Sequence, residues 1–130
     1  QIAAPETLYL APANRFVATF FGHVNTIPTT VSGGQAATPF GTADARGLRD
    51  GPVDVLVRAQ GLVVSTTGEH AIVRSARILG SSILLELDPL PSLGLRGTLV
   101  ARVAIGAHPQ TGQRVGLALD QRFAFVFPRA

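Results

Sequence analysis

The sequence predicts a mainly β protein, a small barrel or sandwich, preceded by two short helices at its N-terminus. Two observations support this fold class. From Val53 onward, apolar residues recur at every second position in short runs that are separated by glycine-containing turns. Before Asn25, in contrast, apolar residues recur at helical spacing. Seven or eight short strands with frequent glycine turns are typical of a closed or two-layered β architecture.

The N-terminal helices are predicted from their boundary residues. The first is expected to begin near Pro5, where a missing N–H costs nothing, and to end at Pro12. Asn14 is a good N-cap for the second helix, and Gly22 is well placed to close it. The second helix has an apolar face that is predicted to pack onto the β-domain. Its members are Phe16, Val17, Phe20 and Phe21.

The middle of the chain carries weaker signals. A short strand is expected at residues 29–31. Residues 32–52, rich in Gly, Ala, Thr and Pro, are predicted to form a mobile loop, because they offer little to bury. Residues 62–65 and 69–79 are predicted to form a hairpin around Thr67 and Gly68.

The remaining strands follow strict period two. Residues 53–58 are predicted to form a half-buried strand that ends at Arg58. In the last strand, Phe123, Phe125 and Phe127 are predicted to form the inward face. The strands expected between these two cover residues 82–87, 99–105 and 115–119.

Composition limits the possible functions. The chain has 130 residues, which suits one domain, and 46% of them are hydrophobic. No apolar run approaches the roughly 18 residues of a membrane span. The net charge of +3 comes from scattered arginines without any lysine, rather than from the clustered basic stripe that nucleic-acid binding needs. The absence of cysteine excludes disulfides and thiolate chemistry.

Motifs that carry catalysis are absent from the sequence. A P-loop needs a lysine, and a nucleophile elbow needs the GxSxG pattern; the chain has neither. The histidines His23, His70 and His108 are far apart, so a metal site is not assigned. Glu86 and Asp88 are interpreted as a solvated strand edge rather than an acid–base pair. We therefore predict no catalytic, cofactor-binding or metal-binding residue.

Several stretches resemble one protein family. Residues 5–25, PETLYLAPANRFVATFFGHVN, are similar to the segment that ends the nucleotide-binding domain in ATPase subunits of bacterial ABC importers. Three further stretches resemble the strands of the family's TOBE domain, an OB-fold-like barrel: VLVRAQGL at 55–62, ARILGSSILLEL at 76–87 and GQRVGLALDQRFAFVFP at 112–128. The chain departs from the family pattern at Ala59-Gln60, where the family has Pro-Glu, and residues 32–52 match no family element.

This resemblance implies a division of the chain and a function. Residues 1–25 would be a helical hinge from a missing ATPase core, and residues 26–130 a TOBE regulatory domain. The domain would regulate and dimerise an importer ATPase of the iron, polyamine, sulfate or thiamine type, without catalysis of its own. ATP and magnesium would belong to the parent protein. The expected partners are a second copy and, through the ATPase core, permease subunits, in the cytoplasm at the inner membrane, without membrane insertion or nucleic-acid binding.

The resemblance also leaves an alternative open. TOBE domains in molybdate-handling proteins bind oxyanions between paired barrels, so this domain would be a small-ligand sensor. A structural hydrogen bond or ion pair is the competing role for Arg58. A nucleic-acid-binding OB-fold is disfavoured, because one Tyr and no Trp provide few stacking platforms. The candidate ligand or interface residues are Arg58, Arg77, Ser81, Ser82 and Arg102.

Overall fold

The alternating residues fold into antiparallel strands in a computed structural model, which describes residues 23–106 and 108–128. Within those ranges there are ten strands and three short 3-10 turns, the latter at Ala59–Gly61, Pro91–Leu93 and Gln121–Phe123. The strands are β1 (Val24–Ser32), β2 (Gln35–Thr38), β3 (Gly41–Asp44), β4 (Gly51–Arg58), β5 (Leu62–Ser65), β6 (Ala71–Leu79), β7 (Ser82–Pro89), β8 (Leu99–Ala104), β9 (Arg114–Leu119) and β10 (Ala124–Pro128).

The strands form two five-stranded sheets. The first sheet has the order β10-β4-β1-β2-β3, and the second has the order β5-β9-β6-β7-β8. A turn through Gly33 and Gly34 joins β1 to β2, and both glycines have positive φ, 62° and 77°. Positive φ at both central residues matches a type I′ hairpin turn, which only glycine and a few polar residues accept readily.

Both sheets curl, and they share one core. Strand β10 approaches β3 at the two edges of the first sheet, and β5 approaches β8 at the edges of the second. The inward faces of both sheets contribute to a single apolar cluster. Its buried members are Ile27, Val31, Ala36, Phe40, Ala43, Ala45, Val53, Val55, Val57, Leu62, Ala71, Val73, Ile83, Leu85, Leu87, Leu99, Ala101, Val115 and Leu117.

Strand β4 is more deeply buried than the sequence predicts. Its alternate residues on the face opposite the core, Asp54, Leu56 and Arg58, are 4%, 0% and 1% exposed. The strand lies between β10 and β1, so both of its edges are paired as well. The expectation of a half-buried strand was therefore wrong, because alternation reports side-chain polarity and not what covers each face.

Asn25 connects the two sheets. Asn25 is 3% exposed and lies near the start of β1. The Oδ1 atom accepts a hydrogen bond from the Val100 amide at 2.6 Å, and Nδ2 donates to the Val100 carbonyl at 2.8 Å. Nδ2 also donates to the Val57 carbonyl at 3.1 Å. The amide thus pairs with the backbone of β8 as a neighbouring strand would.

The loop predicted at residues 32–52 is wrong in its central part. β2 and β3 form a hairpin there, and Ala36, Phe40 and Ala43 are buried in the core. Alanine gives a weak hydrophobic signal, but its small side chain fits where two strands approach the core closely. The Phe40 ring meets the His70 ring edge to face, with centroids 5.3 Å apart.

The hairpin predicted from residues 62–65 and 69–79 is also wrong. β5 pairs with β9, and β6 pairs with β7 and β9, so β9 lies between the two segments. Gly116 in β9 permits this insertion, because a Cβ atom there would overlap the backbone carbonyl of Thr67. Local order along the chain does not reveal such a non-local partner.

The inward face predicted for the last strand is reversed. Phe123 lies in a 3-10 turn, and the residues of β10 that pack against the core are Ala124 and Val126. Phe125 and Phe127 therefore lie on the opposite face, because side chains alternate along a strand. Period two identified the strand but could not identify which of its two faces is covered.

Other predictions are confirmed. The strands expected at residues 82–87, 99–105 and 115–119 correspond to β7, β8 and β9, and the β1 strand is longer than the three residues predicted. The two N-terminal helices, including the packing of Phe16, Val17, Phe20 and Phe21, lie outside the described residues, as does most of the segment 1–25.

Candidate functional site

Three of the five candidate residues share one face of the second sheet. Leu84 in β7 pairs with Arg77 in β6 on one side and with Arg102 in β8 on the other. Ser82 lies two residues before Leu84 and therefore points to the same face. Leu84 is 1% exposed and is not a member of the core cluster, so the arginines flank a buried leucine on the face away from the core.

The two serines occupy the turn between β6 and β7. Gly80 adopts a φ of 58° and allows the tight reversal. The Ser82 hydroxyl donates to the Leu79 carbonyl at 3.2 Å, which leaves its lone pairs as acceptors. Ser81 is exposed at the tip of the turn.

Arg58 does not join this group. It lies in β4 of the first sheet and is 1% exposed. Its guanidinium carbon lies 6.0 Å from the centroid of the Phe125 ring, a contact of cation–π type. The structural role considered for Arg58 fits this burial better than the recognition of a ligand from solvent.

Arg77 and Arg102 are exposed and form no ion pair within the part of the chain that the structure describes. Four other arginines in this part of the chain are ion-paired. The pairs are Arg46–Asp44 at 2.9 Å, Arg122–Asp120 at 2.8 Å, Arg114–Glu69 at 2.8 Å and Arg74–Asp88 at 3.5 Å.

Two of these ion pairs also lower the pKa of their carboxyl groups. Hydrogen bonds from the Arg46 side chain and backbone hold the pKa of Asp44 below its ordinary value. Arg122 lowers the pKa of Asp120 in the same way, because it donates from both its backbone and its side chain. Both carboxylates are charged at neutral pH, and each is paired with the arginine two residues after it.

An apolar surface that sequence reasoning missed lies at the β6–β7 hairpin. Ile78 is 72% exposed and pairs with Ile83, which in turn pairs with Val103. Ile105 is 52% exposed and lies just after the end of β8, two residues beyond Val103, so both exposed isoleucines lie at the same end of the second sheet. We call Ile78 and Ile105 the hairpin patch. Large aliphatic residues near the expected ends of β6 and β8, the two strands that flank β7, were the available signal.

A groove was also missed. It has a volume of about 390 Å³ and lies between β1, β2 and the segment before β8. No regular pattern marks it in the sequence, because its lining comes from three separate stretches. The lining residues are Thr26, Pro28, Thr29, Ala37, Pro39, Leu93, Gly94, Leu95, Arg96 and Leu99.

The titratable residues considered in the sequence have local roles. The His70 Nδ1 atom accepts a hydrogen bond from the Leu117 amide at 2.8 Å. Glu86 accepts from the Ser75 hydroxyl at 2.6 Å, and Asp88 pairs with Arg74. Among residues 23–106 and 108–128, no three His, Asp or Glu side chains gather as a metal site would require. The same ranges contain no helix with the length and apolarity of a membrane span.

Comparison with known proteins finds import ATP-binding proteins, although no family model matches the chain. The Fe(3+) ions import ATP-binding protein FbpC of Streptomyces avermitilis is 32% identical over 123 residues, which cover 92% of this chain and 35% of that protein. The sn-glycerol-3-phosphate import ATP-binding protein UgpC of Chromohalobacter salexigens is 35% identical, covering 98% and 36%. The spermidine/putrescine import ATP-binding protein PotA of Rubrobacter xylanophilus is 33% identical, covering 97% and 37%. The chain thus matches little more than a third of each relative.

Proposed function

The chain belongs to the family of ATP-binding subunits of ABC importers, and we propose that it is the C-terminal regulatory and dimerisation domain of such a subunit. The observation that carries this proposal is the extent of the match. Nearly all of the chain aligns with just over a third of each relative, so most of the ATPase has no counterpart in this sequence. The curled antiparallel sheets are in keeping with an OB-fold-like TOBE barrel.

We propose that this domain does not hydrolyse ATP itself. A P-loop needs a lysine that reaches the terminal phosphates, and every basic residue other than histidine in this chain is arginine. ATP and magnesium would be bound by the remainder of the parent protein. A phosphate-release assay on the purified chain tests this point, with a denatured sample as the blank. Measurable turnover that co-purifies with the folded chain would contradict it.

The hairpin patch supports a role in dimerisation. Ile78 and Ile105 are large apolar side chains that are exposed at the same end of the second sheet, and grouped exposed apolar side chains can mark an interaction site. A two-fold axis near this patch would bring each isoleucine pair onto its counterpart in a second copy. Light scattering over a range of protein concentrations tests the proposal. We expect a mass that rises towards the dimer, and a strict monomer at high concentration would count against it.

The cellular setting follows from the family. We propose that the parent protein works in the cytoplasm at the inner membrane, where its ATPase core contacts permease subunits. The iron, polyamine, sulfate or thiamine importers are the proposed substrate group, supported by relatives named for Fe(3+) and spermidine/putrescine import. The relative named for sn-glycerol-3-phosphate is equally similar, so the genes for the neighbouring permease and binding protein are the decisive observation.

A second candidate function is oxyanion sensing. It is favoured by one arrangement: Arg77 and Arg102 flank Leu84 without ion pairs in the described ranges, and Ser82 lies on the same face. Two guanidinium groups and a hydroxyl could bind a tetrahedral anion. Calorimetry with molybdate, sulfate, phosphate and ferric chelates tests this candidate. Absence of heat with all four ligands would leave only the assembly role.

A further inference from the structure

We propose that the groove between β1, β2 and the segment before β8 binds a small organic anion that carries a compact apolar group. This site is separate from the face that holds Arg77 and Arg102. It also does not depend on the dimerisation role, because the groove is formed within one copy of the chain. The volume of about 390 Å³ is within the range of small-molecule sites.

The apolar walls come from residues anchored in the fold. Leu93 and Leu95 are half-buried and pack against the core cluster, and Leu99 is 4% exposed. Opposite them are Pro28 of β1 and Pro39, which follows β2. Prolines and buried leucines lose little conformational freedom when a ligand arrives, so the apolar part of the groove is largely pre-formed.

The backbone of the segment before β8 is shaped by glycine. A 3-10 turn at Pro91–Leu93 ends at Gly94, which has a φ of 70°, and Gly97 has a φ of 81°. These two left-handed positions turn the chain back over the groove before β8 begins at Leu99. The segment thereby brings Arg96 to the lining of the same groove as Thr26 and Thr29 of β1.

The polar side of the groove has unused binding capacity. Arg96 has no ion pair and the Thr26 hydroxyl has no hydrogen bond within residues 23–106 and 108–128. Thr29 differs, because its hydroxyl donates to the Ala37 carbonyl at 2.6 Å. One unpaired guanidinium beside apolar walls is complementary to an anion with an apolar body. A bare inorganic anion would leave the leucine and proline surface unfilled.

A cavity elsewhere in the fold provides a useful comparison. It has a volume of about 410 Å³ and is lined by polar groups near Gly33 and Gly34. Its cation is Arg46, which is already held by Asp44 at 2.9 Å. Binding an anion there would require that ion pair to break, whereas Arg96 needs no such exchange. Charge complementarity therefore favours the groove over this cavity.

The experiment is a titration of the 130-residue chain followed by NMR chemical shifts. The probes are phenyl phosphate and benzoate, which combine an anion with a ring and differ in the charged group. The comparison compounds are inorganic phosphate, which lacks the ring, and benzyl alcohol, which lacks the charge. We expect saturable shifts at Thr26, Leu95 and Arg96 with at least one ring-bearing anion, and much weaker ones with either comparison compound.

Matched variants make the assignment specific. We expect Arg96→Gln to weaken binding about tenfold or more, because a hydrogen bond to a charged group is lost. We expect Thr26→Val to weaken it by about fivefold, because one hydrogen bond from an uncharged hydroxyl donor is lost. Arg49→Gln is the control, because Arg49 is exposed and does not line the groove. All three residues are exposed, and circular dichroism checks that each variant is folded.

Three results would overturn the proposal. The first is absence of saturable shifts with both ring-bearing anions. The second is equal weakening by Arg96→Gln and Arg49→Gln, which would show nonspecific attraction to positive charge. Shifts centred on Arg77 and Arg102 instead would also overturn it, and would favour the oxyanion candidate. Failure of the chain to dimerise would leave the groove proposal intact.

Discussion

Removal of the Asn25 side chain should weaken the connection between the two sheets and so destabilise the fold. Asn25→Ala deletes three hydrogen bonds, at 2.6, 2.8 and 3.1 Å. It also leaves the amide and carbonyl of Val100 without those partners at a part-buried position. A typical hydrogen bond contributes about 1 kcal/mol net, and an unsatisfied buried group costs about 1–3 kcal/mol. We therefore expect the free energy of unfolding to fall by about 3–5 kcal/mol.

Urea denaturation followed by circular dichroism measures this change. Whole domains are stable by about 5–15 kcal/mol, so a loss of this size would lower the midpoint markedly. Asn25→Asp should also destabilise, because a carboxylate cannot donate to the Val100 carbonyl. Thr30→Ala is the control, an exposed residue on the same strand. A loss of less than about 1 kcal/mol for Asn25→Ala would contradict this expectation, provided that the dependence of the unfolding free energy on urea concentration is unchanged.

Three further predictions concern packing and pH. Gly116→Ala should destabilise by about 1–3 kcal/mol in urea, because the new methyl group overlaps the Thr67 carbonyl; a neutral result would mean that the backbone yields. Leu85→Ala should cost about 2–5 kcal/mol, whereas Ile78→Ala on the same face should cost about 0.5 kcal/mol or less, because Ile78 is 72% exposed. NMR titration should give the Asp120 carboxylate a pKa below the ordinary 3.8. The stabilisation from its ionised form is then present above the ordinary value and is lost as pH falls through the folded one; an Asp120 pKa unchanged by Arg122→Gln would contradict the cause.

The strands with strong alternation were predictable, and their partners were less so. In β7, Ile83, Leu85 and Leu87 face the core at strict period two, which no helix would produce. The pairing of β5 with β9 was not predictable, because Leu62 and Leu119 meet only through the global topology. Likewise, the period-two pattern of β10 is compatible with either face turned inward. In the structure the smaller residues, Ala124 and Val126, pack against the core.

The candidate site was predictable in part for the same reason. Arg77 and Arg102 lie on β6 and β8, the two strands that flank β7 in one sheet, and these three strands follow one another in the sequence. Arg58 belongs to the other sheet, which its sequence position could not reveal. The groove was missed because Thr26 and Arg96 are 70 residues apart in the sequence. They line the same groove only after the chain has folded. Such sites follow from tertiary packing rather than from local patterns.

The central claim is that the domain pairs with a second copy through the hairpin patch. Sedimentation equilibrium on the wild-type chain, Ile78→Glu and Val63→Glu tests it most directly. Val63 is 51% exposed in β5, outside the patch, so it is a matched exposed apolar control. We predict a concentration-dependent dimer for the wild type and Val63→Glu, and a monomer for Ile78→Glu, because the new charge would be buried at the interface. A wild-type monomer at every concentration, or equal dissociation of both variants, would contradict the account.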